Sequence, residues 1–218
     1  CYNFMPLDDW TRTAFDVSAR GGALTNEFDL GALEGKLAAP EKRICTATLW
    51  ENLTIFIHEI APVAQKAGVQ LALHPDDPPI PRLLGADQIM HAPAAFTRLF
   101  EIEPNPANGM CLCTGTFGAA GEDIPTLIEQ FGSRIHYVHF RNMVGQVPHF
   151  VEPFHDDGDL AMPVILHALH KAGFRGSLRP DHVPQMDGES GLADGYSMLG
   201  RLFAIGYIRG LLDSLEKE

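Results

Sequence analysis

Short apolar runs alternate with longer amphipathic stretches along the chain. GVQLALH (68–74), NGMCLC (108–113), RIHYVHF (134–140) and GSLRPDH (176–182) have the length and bounding turn residues of strands. The opening CYNFM is a fifth strand-like run. Between them, apolar positions recur at helical spacing over 47–67, 92–101, 122–131, 161–173 and 196–215, with Pro62 set to kink the first helix. Strands separated by helices predict α/β architecture with a parallel sheet. A (β/α)8 TIM barrel has eight such units, so five strands read as the C-terminal portion of one barrel domain spanning 1–218, with about three βα units expected ahead of Cys1. The segment 18–46 is polar, Gly-rich and weakly periodic, and is expected to be an irregular excursion or a gap in the pattern. The chain contains neither GxGxxG nor GxxxxGK[ST], so a nucleotide-binding reading lacks a phosphate loop.

Composition narrows the partner. With 45% hydrophobic and 20% charged residues in 218, the chain can build a core and is not a disordered segment. Its net charge of −12 and the lack of any Lys/Arg run argue against nucleic acid. The apolar runs are too short to cross a membrane, and the first residues do not read as an export signal. Four cysteines are too few for a disulfide scaffold of this size, which points to a reducing, cytoplasmic setting. The expected partner is a small molecule. Gly200, Gly206 and Gly210 on the last helix permit close helix packing within or between subunits, and a homo-oligomer is expected.

The candidate chemistry lies at strand ends. His74, Cys113, His139 and Asp181 each fall at the C-terminal edge of a predicted strand, where parallel α/β folds build their active sites. Two imidazoles, a thiolate and a carboxylate suffice for one divalent cation, and ligand type alone suggests zinc. Cys111 shares a strand face with Cys113 but lies one layer further from the rim, so it packs below the ligand. Parity also puts Arg141 on the side of His139, where it is a candidate to grip a substrate carboxylate. The HPDDPP turn offers Asp76 and Asp77, either to substrate hydroxyls or to backbone N–H groups, with Asp77 leaning to the second role. FHDDGDLAM offers His155 as a site candidate and Asp159 as a helix cap; its spacing is not that of an EF-hand. His182, beside Asp181, and Tyr196, at a helix start, are candidates for proton transfer. Each of these residues, taken singly, also has an ordinary structural role as a strand-end cap or packed core group.

CYNFMPLDDWTRT, LALHPDDPPIP, NGMCLCTGTFGA, RIHYVHFRN, FHDDGDLAM, LRPDHVPQM and GYSMLGRLFAIGYIRGLL, in this order, resemble the D-mannonate dehydratase family over nearly all of the chain outside 18–46. The resemblance implies a xylose isomerase-like barrel and a hydro-lyase that converts D-mannonate to 2-keto-3-deoxy-D-gluconate in hexuronate breakdown. It also implies Mn²⁺, with Fe²⁺, Co²⁺ or Zn²⁺ as substitutes, on His74, Cys113, His139 and Asp181, and proton transfer by His182 and Tyr196. Arg141, His155 and Asp76 would position the sugar acid. The sequence departs from the family in lacking an upstream strand end that bears a His, and in having Cys111 and Ala161 where many members have Thr and an acidic residue. The competing readings are a metal-dependent sugar isomerase or epimerase on the same architecture, and an inactive partial barrel serving as a binding module.

Overall fold

The computed structural model describes residues 1–7, 11–189 and 195–215. In chain order its elements are β1 (Ala14–Ser18), β2 (Leu24–Asp29), α1 (Thr46–Ala67), β3 (Leu71–Leu73), β4 (Arg82–Leu83), β5 (Ala86–Asp87), α2 (Pro93–Ile102), β6 (Asn108–Cys113), α3 (Thr114–Ala119), α4 (Ile124–Phe131), β7 (Ile135–Phe140), β8 (Val144–Gln146), β9 (His149–Val151), α5 (Met162–Lys171), β10 (Ser177–Pro180) and α6 (Met198–Leu215). The predicted alternation of strands and helices is present. The opening strand shrinks to one parallel bridge, in which Tyr2 N–H donates to Ala72 O (3.0 Å) and Tyr2 O accepts from His74 N–H (2.8 Å).

The parallel sheet runs in the order β10-β7-β6-β3, with Tyr2 beyond β3. Register sets its rim: Cys113 pairs with His139, and Arg179 pairs with His139 from the other side. Alternate residues of these strands, Leu73, Met110, Leu112, Val138 and Phe140, bury against the helices. The helices answer with Leu53, Ile57 and Ala61 of α1, Phe96 and Leu99 of α2, Leu127 and Ile128 of α4, and Ile165, Leu166 and Leu169 of α5. The four-residue spacing in α1 keeps one face on the sheet. That helix starts where Asp87 Oδ2 receives both the N–H and the hydroxyl of Thr46 (2.9 Å each), and ends at Gly68, whose φ of 69° suits a residue without Cβ. Pro62 does not end it, because its ring lies on the exposed face, where water can satisfy the carbonyl its missing N–H leaves open.

The segment 18–46 does leave the parallel sheet, but it is not irregular throughout. Strand β2 lies in an antiparallel sheet of order β1-β2-β9-β8, so the chain near residue 26 is joined to the loop near 150. A second core of Phe28, Phe150, Met143, Ile80, Leu83 and Ala119 lies under this sheet, with the Phe28 and Phe150 rings 5.4 Å apart. No helix among the described residues is long and apolar enough to cross a membrane.

Candidate active site

Four strand ends converge. His74 follows β3, Cys113 ends β6, His139 lies in the last turn of pleat of β7 and Asp181 follows β10; one ligand atom from each lies within 4.8 Å of all the others. The donor set is poised for a cation by its own hydrogen bonds. His74 Nδ1 lies 2.6 Å from the carbonyl oxygen of Pro75, to which it must donate, leaving the Nε2 lone pair free to ligate. His139 Nδ1 is buried without a hydrogen-bond partner and stands 3.6 Å from Asp181 Oδ2. Burial works against ionisation of the Cys113 thiol, but Arg141 and His74 outweigh it and hold the group well below the usual thiol range. Cys111 is pushed the other way, by burial and then by Cys113 and Asp181, so it stays a packed thiol. A buried nitrogen left without a partner beside a stabilised thiolate and a carboxylate fits a divalent cation.

A cavity of about 390 Å³ opens over this set, lined by His74, His139 and Asp181 together with His182, Tyr196 and Arg179. The ring of Tyr196 meets that of His182 edge-on at 5.3 Å. Its phenol is pushed up to about 12, chiefly by burial and then by Asp181, so it keeps its proton at neutral pH. Arg179 places Nη2 3.0 Å from Asp181 Oδ1 while its side chain stays 38% exposed toward the cavity. Burial opposes ionisation of Asp181 too, yet His182, Arg141 and His139 keep its carboxyl well below the usual range.

Behind the cavity lies a buried ionic network. Glu152, just past β9, accepts from Arg12, Arg141, His182 Nδ1 (2.8 Å) and Asn26 Nδ2 (3.0 Å). Asp77 Oδ2 takes Arg12 at 2.9 Å and Arg141 at 2.6 Å. Arg141 also reaches Asp181 Oδ2 through Nε (3.2 Å) and Thr116 Oγ1 through Nη2 (3.0 Å). Isolated charges at this depth would be strongly disfavoured; here each faces an opposite charge and hydrogen bonds.

Of the residues singled out in the sequence, His74, Cys113, His139, Asp181, His182 and Tyr196 are brought together. Arg141, His155 and Asp76 lie behind the cavity. The Arg141 guanidinium is spent on Asp77, Glu152 and Asp181, so it faces protein carboxylates instead of open space. His155 Nε2 donates to Phe140 O (2.6 Å), and burial lowers its pKa to about 4, as for a neutral core imidazole. Asp76 Oδ2 accepts Met90 N–H (2.7 Å) and fixes the loop; burial raises it to about 7. Asp77, expected to be the more structural of the two, is the one that borders the cavity. Asp159 accepts Gly145 N–H (2.8 Å) and so ties the β8 strand to the loop, where a cap on α5 was expected. Arg12, Glu152 and Arg179 escaped notice in the sequence. Arg179 was within reach, since it lies two residues before Asp181 on the same strand face.

The chain superposes on a xylose isomerase domain protein from Alicyclobacillus acidocaldarius with a TM-score of 0.56 at 18% identity, over 75% of this chain and 58% of that one. At that identity the likeness shows the fold, that of xylose isomerase-like TIM-barrel proteins. The mannonate dehydratase of Streptococcus suis serotype 2 superposes with a TM-score of 0.88 at 32% identity, over 97% of this chain and 64% of that one. The mannonate dehydratase of Oceanobacillus iheyensis is 34% identical over 99% of this chain and 69% of its own length; that of Bacillus subtilis is 31% identical over 99% and 69%. The family model for D-mannonate dehydratase (UxuA) matches residues 30–218. The chain belongs to the D-mannonate dehydratase family, whose members are hydro-lyases. It spans about 64 to 70% of the length of the relatives it matches.

Proposed function

We propose that the protein removes water from D-mannonate to give 2-keto-3-deoxy-D-gluconate, using a divalent cation held by His74, Cys113, His139 and Asp181, with Mn²⁺ as the resident metal. The observation that carries the reading is the partnerless His139 nitrogen facing Asp181 beside a stabilised Cys113 thiolate, at the floor of a cavity whose wall bears His182 and Tyr196. The cation, when bound, supplies Lewis acidity for the charge that develops on the substrate carboxylate as C2 loses its proton. His182 takes that proton, because Glu152 accepts from Nδ1 and leaves Nε2 as the basic atom. Tyr196 gives its phenolic proton to the C3 hydroxyl, the C3–O bond breaks and water leaves. The enol so formed gains a proton at C3 as its C2 hydroxyl gives one up and becomes the 2-keto acid, and the proton held by His182 returns to the Tyr196 phenolate, so one water is lost and no electrons are exchanged. Arg179 is the cation positioned to meet the sugar acid carboxylate, while Arg141, His155 and Asp76 support the walls.

In the same reading the parallel sheet is a sector of a (β/α)8 barrel and 1–218 forms part of one domain, as supported by the superposition on the longer Streptococcus suis chain. A cytoplasmic setting accords with four free thiols among the described residues. Assembly into a homo-oligomer is supported by the exposed Leu202, Ile205 and Leu212 of α6, where Gly206 and Gly210 open onto free space. Gly200 has a different use, since a Cβ there would fall 2.2 Å from Pro184 O.

The test is 2-keto acid formation from D-mannonate after chelation and again after adding Mn²⁺. Activity that vanishes and returns is the expected outcome. A metal-loaded protein that interconverts sugars without forming a 3-deoxy-2-keto acid would replace this reading with the isomerase one.

A further inference from the structure

Glu152 is nearly fully buried, yet it follows β9 of the antiparallel sheet and does not come from the strands that carry the proposed cation ligands. Its Oε1 accepts from His182 Nδ1 at 2.8 Å. A carboxylate can only accept, so that bond puts a proton on Nδ1, and in the neutral ring the lone pair is then on Nε2, the nitrogen 4.0 Å from Asp181 Oδ2 on the cavity side. Asn26 and the guanidiniums of Arg12 and Arg141 hold Glu152 in turn. Asp77, Glu152 and His182 also bring ligand-type atoms within 4.8 Å of one another. The two arginines already occupy those carboxylates, so the cluster is an orienting device and not a second cation site.

We propose that Glu152 is a positioning residue for proton transfer at this site, selecting the His182 tautomer whose Nε2 accepts from substrate, with Arg12 bracing it from the far side. The inference rests on the dehydratase reading for its chemistry but not for its geometry. The geometric part is read without turnover, by ¹⁵N–¹H NMR of protein labelled at histidine and loaded with diamagnetic Zn²⁺, with the His182 signals assigned by their loss in His182→Asn. A neutral imidazole carrying its proton on Nδ1 is the expected result; a proton on Nε2 overturns the proposal even if the enzyme is active.

The kinetic part compares Glu152→Gln in the wild-type and His182→Asn backgrounds. In the wild type it should lower kcat by about 10- to 100-fold, the usual range for a residue acting behind a reactive group, with KM and bound Mn²⁺ per chain unchanged. In the His182→Asn background the same substitution should leave the residual rate unchanged within about twofold. An equal loss in both backgrounds, or none in either, sinks the proposal. If Glu152→Gln fails to fold, the tautomer measurement decides alone. Absence of any D-mannonate turnover in the wild type would overturn the dehydratase reading while leaving the tautomer result to stand or fall separately.

Discussion

The two sheets divide the work of the site by different physical means. The parallel sheet presents the candidate ligands by register: Cys113 and His139 are paired neighbours, Arg179 is next in line, and the strands beneath pack against helices. Position there follows from backbone pairing, and the tolerance is that of a packed core. The antiparallel sheet has short, partly exposed strands over a core of a few residues, and it delivers charge by ion pairing: Arg12 from before β1 and Glu152 from after β9 meet across the interior. In the proposed reading, holding the cation rests mainly on ladders and aiming the proton-transfer groups on counter-charges, with Arg141 touching both through Asp181 and Glu152.

That separation can be broken or sharpened in order of expected effect. Replacing Cys113→Ser strikes the ladder side and should abolish stoichiometric Mn²⁺, weakening binding by more than the roughly 100-fold of an outer-shell change. Metal analysis after gel filtration decides it, and a full complement of Mn²⁺ would remove Cys113 from the ligand set. Tyr196→Phe should do the reverse, lowering kcat by about 10²- to 10⁴-fold with metal retained. Unchanged turnover would take the phenol out of the proton path. Phe150→Ala removes a buried ring shared by the second core and by Arg12, whose guanidinium lies 4.9 Å from the ring centre. It should cost about 3–5 kcal/mol in urea unfolding and lower kcat while sparing the metal. Loss of metal with intact kcat per bound ion would show that the sheets are not separable.

The smallest effect concerns pH. The unfolded His155 imidazole protonates near 6.5 and the folded one near 4, so its contribution is fully present above about 6.5 and is lost as pH falls toward 4. A His155→Gln variant, which keeps a donor for Phe140 O, should show a flatter decline in stability between those values. An unchanged slope by chemical denaturation would mean that another group governs acid sensitivity.

What the sequence discloses follows the same division. Strands β6 and β7 are read from largely apolar runs because they are buried almost throughout, while β10 is half-buried and is read from its place after a helical stretch; the rim rule then yields the candidate cation ligands. Strands β1 and β2 carry little apolar signal, since AFDVS is exposed or half-buried throughout and two of the three buried residues of LTNEFD, Thr25 and Asn26, are polar. The pairing of β2 with β9 is fixed by contacts more than 100 residues apart, such as Thr25 with Glu152, which no local pattern encodes. Arg141 illustrates the limit. Parity gives its side correctly, but what it faces depends on Asp77 and Glu152, which arrive from separate loops. The short helix α3 is missed for a simpler reason, as TGTFGA is six residues long and five of them are weak helix formers.

Gly115 sits against the stem of Arg141: a Cβ added there would come within 2.6 Å of Cγ and 2.8 Å of Nε. Because that guanidinium is fixed by three carboxylates, the stem has nowhere to retreat. The two positions therefore form a historical lock, in which a larger residue at 115 becomes admissible only after 141 has been shortened, and shortening 141 first strands buried acids. Laboratory evolution that samples one substitution at a time would find neither door open, whereas a library varying both together could pass through.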